Sequence, residues 1–396
     1  MPISVNNQNN IIRNHFFMKK YLYLAASIML AACSTNNNTI IEVTNTLDID
    51  RSRELVEVKI DNPEVLGNLI DENGIVVPYQ VTENGLVFLA DVSANSSMKY
   101  SFVASEERVE SPKFVDAFFL GERRKDDFAW ENEYAAYRMY GPALAPENPS
   151  NGVDLWLKHG MEPCADAMYK QEENGKPYHI DYGLGIDSYK VGHAVGCGGV
   201  ALVYNDQAWV GGPFARYEIL QEGPLQTIFQ FEYDSILVGE KILSETIKIT
   251  VNAGSQVNKA EVTFNGEKID GLKIGGGIFL HDDEQAVMSF GKQYISYCES
   301  ATSDKGIYAI HEQNGLNAEE LDFGQNYVTV IFPGLSSATV YDKTQLAEKT
   351  YNVGETFTYY FGGGWSKREY ESNDKWIDAV EKTAKCIENP LKIVVK

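Results

Sequence analysis

The chain has 396 residues, of which 56 are acidic and 34 are basic, so its formal net charge is −22. So negative a chain repels the phosphates of nucleic acids, and we predict that it binds no nucleic acid. An anionic sugar is still compatible with this charge, because a binding pocket can be locally basic. The length suits one large β domain or two smaller ones.

The N-terminal region has the pattern of a bacterial lipoprotein signal. A basic stretch at 18–20 precedes an apolar run, 21–30, which is too short to span a bilayer as a helix. Leu-Ala-Ala-Cys, ending at Cys33, resembles a lipobox, in which cleavage leaves the lipidated cysteine as the first residue. We predict that residues 1–33 are a signal region, that translation starts at Met18, and that Cys33 anchors the protein in the outer membrane, facing the periplasm.

The remaining chain is predicted to be mainly β. Residues 34–40 are polar and are predicted to be a tether, whereas short alternating runs with Asn-Gly turns predict a small β-sandwich over 41–105. A charged segment, 106–112, is a plausible linker. Long strand-like runs and frequent glycines over 110–396 predict a large two-sheet β-sandwich, of the kind called a supersandwich.

One amphipathic helix is predicted near the C-terminus. Ser372-Asn373-Asp374 provides a cap and Pro390 a stop. Between them, residues follow one another at helical spacing on a single face: Trp376, Ala379, Val380, Thr383 and Ile387.

Metal and cofactor sites are not indicated by the sequence. The four cysteines after Cys33 show no CxxC spacing, which argues against a zinc site built from thiolates. The acidic stretch 281–284 could hold a metal ion but is more simply a solvated loop. The sequence therefore predicts no metal ligand and no cofactor.

Two strand-like motifs carry candidate sugar-binding residues. In the first, Trp130 offers a flat face, Glu131 and Asn132 could bind hydroxyl groups, and Arg138 could pair with a carboxylate. The alternative is a strand whose charges face water and pair with one another.

The second motif is Asp154-Leu155-Trp156-Leu157-Lys158-His159. Alternation along a strand places Asp154, Trp156 and Lys158 on one face. An acid, an aromatic ring and a base in a row suggest the wall of a cleft, although a solvent-facing strand explains them equally well.

The stretch 178–202 combines ionisable residues, tyrosines and six glycines. Such glycine density lets the backbone adopt positive φ and approach a ligand closely. A nucleotide loop is not expected, because neither phosphate-binding glycine motif is present with a following helix. Candidate functional residues in the stretch are His179, Asp181, Asp187, Tyr189, Lys190 and His193. Farther along the chain, three glycines before Trp365 suggest a rim loop that presents an aromatic platform.

Together, these motifs resemble a family of secreted bacterial proteins, long described as a domain of unknown function, that includes ulvan oligosaccharide dehydratase. The resemblance covers most of 110–396 and rests on the lipobox, Trp130-Glu131-Asn132, Tyr137-Arg138-x-Tyr140-Gly141-Pro142, Asp154-x-Trp156-x-Lys158, the run from Tyr178 to Gly192, and Gly364-Trp365-Ser366. It implies removal of water from the non-reducing terminal uronic acid of an oligosaccharide. The product has a 4,5-unsaturated uronyl end, which an unsaturated-glucuronyl hydrolase can cleave.

That elimination needs a cation on the sugar carboxylate, a base at C5 and an acid for the departing C4 hydroxyl. Arg138 or Lys158 would supply the cation, and His179 would be the base, because a histidine is mostly neutral at neutral pH. The acid would be Tyr189, Tyr178 or His193. Asp181 or Asp187 could fix a histidine tautomer. The predicted substrate-binding residues are Trp130, Glu131, Asn132, Trp156, Asp181, Asp187, Lys190 and Trp365.

Two other functions are compatible with the sequence. A glycoside hydrolase would use two carboxylates, such as Glu131 and Asp187, and would release a shorter sugar. A non-catalytic glycan-binding lipoprotein would use Trp130, Trp156 and Trp365 as platforms and leave the glycan unchanged.

Overall fold

The protein is mainly antiparallel β-sheet with one helix near its C-terminus, and the predicted fold class is confirmed. The computed structural model describes residues 39–63, 66–147, 149–302 and 306–396, which belong to one compact unit. The predicted signal region with Cys33, and most of the predicted tether, lie outside the described residues. No helix among the described residues is long and apolar enough to cross a membrane.

The helices are few and short. The described α-helices are α1 (Ala165–Glu173), α2 (Gly306–Gln313) and α3 (Asn373–Glu388). The described strands are β1 (Ile40–Thr44), β2 (Arg51–Lys59), β3 (Asn68–Asp71), β4 (Tyr79–Thr82), β5 (Gly85–Val92), β6 (Ser97–Val103), β7 (Asp116–Phe119), β8 (Asp127–Glu131), β9 (Ala135–Tyr140), β10 (Asp154–Lys158), β11 (Gly185–Asp187), β12 (Val200–Tyr204), β13 (Gln207–Trp209), β14 (Arg216–Gln221), β15 (Gln226–Val238), β16 (Lys241–Asn252), β17 (Asn258–Gly266), β18 (Lys273–Phe279), β19 (Val287–Phe290), β20 (Tyr294–Ser300), β21 (Gln325–Ile331), β22 (Ser337–Tyr341), β23 (Thr344–Thr350), β24 (Thr356–Trp365) and β25 (Lys392–Val395).

The strands form five sheets. The largest has eight strands in the order β14-β15-β16-β17-β24-β21-β20-β19. Two sheets have five strands each, in the orders β11-β10-β9-β8-β7 and β13-β12-β18-β23-β22. The two small sheets have the orders β25-β1-β6-β3 and β2-β5-β4.

The eight-stranded sheet forms one layer of a large sandwich, and the five-stranded sheets pack against its inner face. Alternate residues of β8 and β9 point into this core, because side chains alternate across a strand. Phe128 and Trp130 pack on Phe229 of β15, at ring-centroid distances of 4.8 and 5.2 Å. Tyr137 meets Phe361 of β24 edge to face at 5.9 Å.

The two small sheets share a hydrophobic cluster of their own, in which Phe88 of β5 and Tyr100 of β6 lie 4.6 Å apart. The sheet that contains β1 also includes β25 from the opposite end of the chain. Ile41 lies opposite Val395 in this antiparallel pair. The C-terminal segment therefore completes a sheet that otherwise consists of residues from the first quarter of the chain.

Two sheets of the large sandwich are each covered on the outer side by a helix. Helix α3 covers the eight-stranded sheet, where Trp376 stacks on Tyr327 at 5.5 Å. The side chain of Ser372 accepts a hydrogen bond from Lys375 N, so the predicted cap is present. Helix α1 and the loop that follows it cover the outer face of the β7–β11 sheet.

Candidate active site

A buried arginine lies at the centre of a charged cluster on the outer face of the β7–β11 sheet. Arg138 of β9 donates from Nη2 to Asp154 Oδ2 at 2.6 Å and to Asp187 Oδ2 at 3.0 Å. Its Nη1 donates to Asp127 Oδ2 at 3.3 Å and to the Tyr178 hydroxyl at 3.1 Å. Neighbouring strands bring these carboxyl groups together, since Arg138 lies opposite Asp154 in the β9–β10 register.

Negative groups outnumber positive ones around this guanidinium. Burial and the negative charge of Asp154 raise the pKa of Asp187 well above its usual value, and burial also raises the pKa of Asp127. Burial opposes the charge of Arg138, but Tyr140 and Asp154 outweigh it, so the pKa of Arg138 is raised. The guanidinium of Arg138 is therefore the counter-charge shared by the three carboxyl groups that it contacts.

Aromatic rings enclose the same guanidinium. Its carbon lies 5.1 Å from the ring of Trp156 and 5.5 Å from the ring of Tyr178. With its terminal nitrogens bound to Asp127, Asp154 and Asp187, Arg138 has no bidentate face left for a sugar carboxylate. The predicted role of Arg138 as the substrate's carboxylate partner is wrong, because its charge is already neutralised inside the protein.

His179 borders this cluster and is the candidate base. Its Nδ1 lies 2.9 Å from the main-chain oxygen of Asp187 and 3.7 Å from Asp187 Oδ2, and its side chain is 27% exposed. A carbonyl oxygen only accepts hydrogen bonds, so Nδ1 carries the proton and Nε2 carries the lone pair of the neutral ring. Burial, assisted by the positive Arg138, lowers the pKa of His179 despite the bond to Asp187.

A second histidine binds the same short segment from another side. His281 Nε2 lies 2.7 Å from the main-chain oxygen of Lys190, and its Nδ1 lies 2.9 Å from the carboxylate of Glu299. Asn326 donates to Glu299 at 3.0 Å and fixes the carboxylate. The segment from Asp187 to Lys190 is thus held between two imidazoles.

Tyr189, a predicted acid, lies inside this segment but is buried. Its ring meets His281 edge to face at 5.0 Å, and burial raises the pKa of Tyr189 well above its usual value. The hydroxyl has no hydrogen-bond partner among the described residues. Lys190 and His193, in contrast, are exposed. Of the other predicted acids, Tyr178 is buried and accepts the hydrogen bond from Arg138.

Lys158 forms a structural ion pair and is not a substrate contact. Its Nζ lies 2.7 Å from Glu131 Oε2 and 3.0 Å from the main-chain oxygen of Asn132, and both charged side chains are 1% exposed. Glu131 also accepts hydrogen bonds from Cys164 N and Ala165 N, the first main-chain donors of α1. The predicted role of Lys158 as the carboxylate partner, and of Glu131 as a sugar ligand, is therefore wrong.

Asn132 has a structural position as well. Its Oδ1 accepts hydrogen bonds from Tyr134 N and Ala135 N, and it closes the turn between β8 and β9. Because the side chain is fully buried, the predicted contact of Asn132 with a sugar hydroxyl is wrong.

The three tryptophans predicted as platforms are core residues. Trp130 is completely buried in the sandwich, and Trp156 is covered by Tyr169 and Tyr178 on the outer face. Trp365 is buried at the end of β24, where its Nε1 donates to Phe323 O at 2.7 Å. These predictions of exposed stacking surfaces are wrong, because buried rings present no face to a sugar.

One histidine of the site belongs to the second motif, but no role was predicted for it from the sequence. His159, directly after β10, has its Nε2 2.7 Å from Asp181 Oδ2, and both side chains are about one-third exposed. The signal was available, because His159 follows the Asp-Trp-Lys row, but its pairing with Asp181 depends on the path of the intervening loop. Arg124, another missed residue, lies 5.8 Å from the ring of Tyr178.

The described residues include no group of three or more His, Cys, Asp or Glu that could hold a metal ion. Two surface hollows lie beside Arg216 and Tyr217, and neither is lined by His159, Asp181 or His179.

The fold resembles solved structures of larger proteins. One is described as a protein in the glycosyl hydrolase family 38 from Enterococcus faecalis, with a TM-score of 0.52, 9% identity and coverage of 91% of this chain and 48% of that chain. The other is an alpha-mannosidase from Enterococcus faecalis V583, with a TM-score of 0.50, 9% identity and coverage of 92% and 46%. The likeness concerns the fold alone, and this chain spans about half the length of each.

Sequence comparison identifies a relative of matching length. The chain is 25% identical to "Uncharacterized protein P7" of Formosa agariphila over 406 aligned residues, which cover 94% of this chain and 98% of the relative. The family model described as Domain of unknown function (DUF4861) matches residues 43–393. This match covers most of the chain, which therefore belongs to the DUF4861 family.

Proposed function

We propose that the protein is a carbohydrate-active enzyme that eliminates water from the non-reducing terminal uronic acid of an oligosaccharide. The observation that carries this proposal is the environment of His179. The imidazole is partly exposed, its Nδ1 is fixed by the Asp187 carbonyl, and its lowered pKa keeps Nε2 unprotonated at neutral pH. This combination is what a base for the C5 proton requires.

The C5 proton of a uronic acid is acidic only when the neighbouring carboxylate is neutralised, so a cation must lie near His179. Arg138 and Lys158 are occupied by protein carboxylates. Arg124 replaces them in the proposal, because the ring of Tyr178 contacts both its guanidinium and the imidazole of His179. Arg124 also lies near a carboxylate, with its Nε 3.5 Å from Asp127 Oδ2, but its side chain is 36% exposed, so part of it is accessible to a sugar carboxylate.

The fold supports a carbohydrate as the substrate, and the surroundings of His179 support elimination as the reaction. Both similar solved structures are named as enzymes that act on carbohydrates, namely a glycosyl hydrolase and a mannosidase. A hydrolytic pair formed by Glu131 and Asp187 has less support, because both are buried and bound to Lys158 and Arg138. A non-catalytic platform has less support because Trp130, Trp156 and Trp365 are buried.

The direct test is incubation of the full-length protein with oligosaccharides that end in a uronic acid. We expect the mass to fall by one water, with a rise in ultraviolet absorbance from the new conjugated double bond. Oligosaccharides of the same length that end in a neutral sugar should not react, since they offer no acidified C5 proton. Release of a shorter sugar would indicate a hydrolase, and binding without any change of mass would indicate a glycan-binding protein.

The variant His179→Gln tests the proposed base. We expect turnover to fall by roughly 10²- to 10⁴-fold, the usual contribution of a positioned general base. Near-normal turnover in a folded His179→Gln protein would contradict the assignment.

A further inference from the structure

His159, the histidine that follows β10, is held by several contacts. His159 Nε2 lies 2.7 Å from Asp181 Oδ2, and Gly183 N donates to Asp181 Oδ1 at 2.8 Å. The imidazole lies against the indole of Trp365, with ring centroids 4.7 Å apart, and His159 N donates to Leu184 O at 3.0 Å. An imidazole fixed at Nε2 by a carboxylate uses Nδ1 for proton transfer.

His159 and His179 contact opposite ends of the same edge strand. His159 binds the main chain at Leu184, just before β11, and His179 binds it at Asp187, the end of β11. Three residues of extended chain separate these points by about 10 Å. Asp187 N, at the end of β11, donates to Tyr178 O at 3.0 Å, so the residue before His179 lies beside this strand.

The two imidazoles have opposite electrostatic surroundings. Beside His179 lies the positive Arg138, and a carbonyl oxygen faces its Nδ1. Beside His159 lies the carboxylate of Asp181, a counter-charge for an imidazolium. Burial alone would raise the pKa of Asp181, but the hydrogen bonds from His159 and Gly183 N outweigh it and lower the pKa. In many enzymes, the catalytic acid and base are two groups of the same type whose environments favour opposite protonation states.

We propose that His159, held by Asp181, is the acid that protonates the departing C4 oxygen. This assignment deepens the proposed function and rests on it. His179 Nε2 accepts the proton from C5, and the electron pair of the C5–H bond is held first as an enolate of the sugar carboxylate. That electron pair then forms the C4–C5 double bond. The C4–O bond breaks with its electrons on oxygen, and His159 Nδ1 gives that oxygen its proton, so that water leaves. Exchange with solvent then restores a neutral His179 and a protonated His159.

The test compares His159→Gln with His179→Gln on two substrates. One is a uronic-acid-terminated oligosaccharide with its ordinary C4 hydroxyl, and the other has fluorine at C4, which leaves as fluoride with little need of an acid. On the hydroxyl substrate, we expect His159→Gln to lower kcat by roughly 10²- to 10⁴-fold. On the fluoro substrate, the loss should be within about ten-fold, whereas His179→Gln should lose activity on both.

Deuterium exchange gives a second readout that a merely structural role would not produce. In D₂O, His159→Gln should still exchange the C5 hydrogen, because the base remains, and His179→Gln should not. Asp181→Asn, which keeps the size of the side chain, should depress the reaction of the hydroxyl substrate and leave that of the fluoro substrate within about ten-fold. Thermal unfolding of each variant shows whether it is folded.

The outcomes separate the two proposals. If the wild-type protein dehydrates the hydroxyl substrate but His159→Gln loses nothing, or loses equally on both substrates, the assignment of His159 is overturned and the proposed function stands. If the wild-type protein dehydrates no uronic-acid-terminated oligosaccharide, both are overturned.

Discussion

The imidazole of His179 and the main-chain carbonyl of Asp187 form a hydrogen bond of 2.9 Å. The carboxyl group of the same aspartate accepts a hydrogen bond from Arg138 at 3.0 Å. One residue therefore connects the partly exposed imidazole to the buried charged cluster. Changes in the cluster should alter the position of the imidazole, and protonation of the imidazole should alter the stability of the fold.

The first prediction concerns pH. Because the pKa of His179 is lowered in the folded protein, the unfolded chain binds more protons than the native state between that pKa and about 6.5. This contribution to stability is complete above about pH 6.5 and is lost as the pH falls toward the folded pKa. We expect His179→Gln to lose less stability than the wild type on acidification, as measured by urea midpoints. Parallel curves for both proteins would contradict the lowered pKa.

The second prediction concerns Arg138. Arg138→Met leaves Asp127, Asp154 and Asp187 without their shared cation in a buried site, and we expect a loss of about 3 to 5 kcal/mol in the free energy of unfolding. Arg216→Met is the matched control, since Arg216 also binds two carboxylates but on the exposed surface. Urea unfolding should show a large shift for the first variant and almost none for the control. Equal losses of unfolding free energy in the two variants would contradict the prediction that burial makes the Arg138 ion pairs more important.

The third prediction concerns the pair of Lys158 and Glu131. Lys158→Met should cost about 3 to 5 kcal/mol, because it leaves a buried carboxylate beside the start of α1. The double variant Lys158→Met with Glu131→Gln should be more stable than Lys158→Met alone, since the uncompensated charge is removed. A double-mutant cycle on urea unfolding measures this coupling. Simply additive losses would show that the two side chains act independently.

The fourth prediction concerns the glycine-rich run after His179. Gly196 has φ +63°, and a Cβ built there would lie 2.0 Å from Val153 O. Gly192 has a similar φ of +58°, but a Cβ there would meet nothing within 4 Å. Gly192→Ala should cost about 1 to 2 kcal/mol of backbone strain, and Gly196→Ala considerably more because the clash adds to it. Thermal unfolding of both variants should separate the strain from the clash, and equal losses would argue against the clash.

Some of this structure could be predicted because it depends on local pattern. The spacing of Trp376 and Val380 and the cap at Ser372 are properties of consecutive residues, and α3 was predicted from them correctly. The alternation that places Asp154, Trp156 and Lys158 on one strand face is equally local and is also correct.

What covers that face could not be predicted from local pattern. Helix α1 has only nine residues, and its apolar face consists of Ala165, Met168 and Tyr169, which is too short a pattern to indicate a helix. Both interpretations of the strand, a cleft wall or a solvent-facing surface, assumed that nothing covers it. The helix and its loop instead bury the row and convert its charges into internal ion pairs.

The candidate site depends on pairings between distant parts of the chain. His159 and Asp181 are 22 residues apart, and His281, which follows β18, binds Glu299 of β20. Strand register and loop path create these contacts, and neither is visible in residue spacing. The stretch from Tyr178 to Lys190 was identified correctly as dense in ionisable groups, but its partners lie elsewhere in the sequence.

The pairing of β1 with β25 has a consequence for synthesis of the protein. The strand that lies beside Ile41 contains Val395, so it leaves the ribosome about 350 residues after Ile41. Until then one edge of β1 has no native neighbour, and an open strand edge can pair with the wrong chain. Loss of the segment that contains β25 would thus damage a sheet built from residues far away in the sequence.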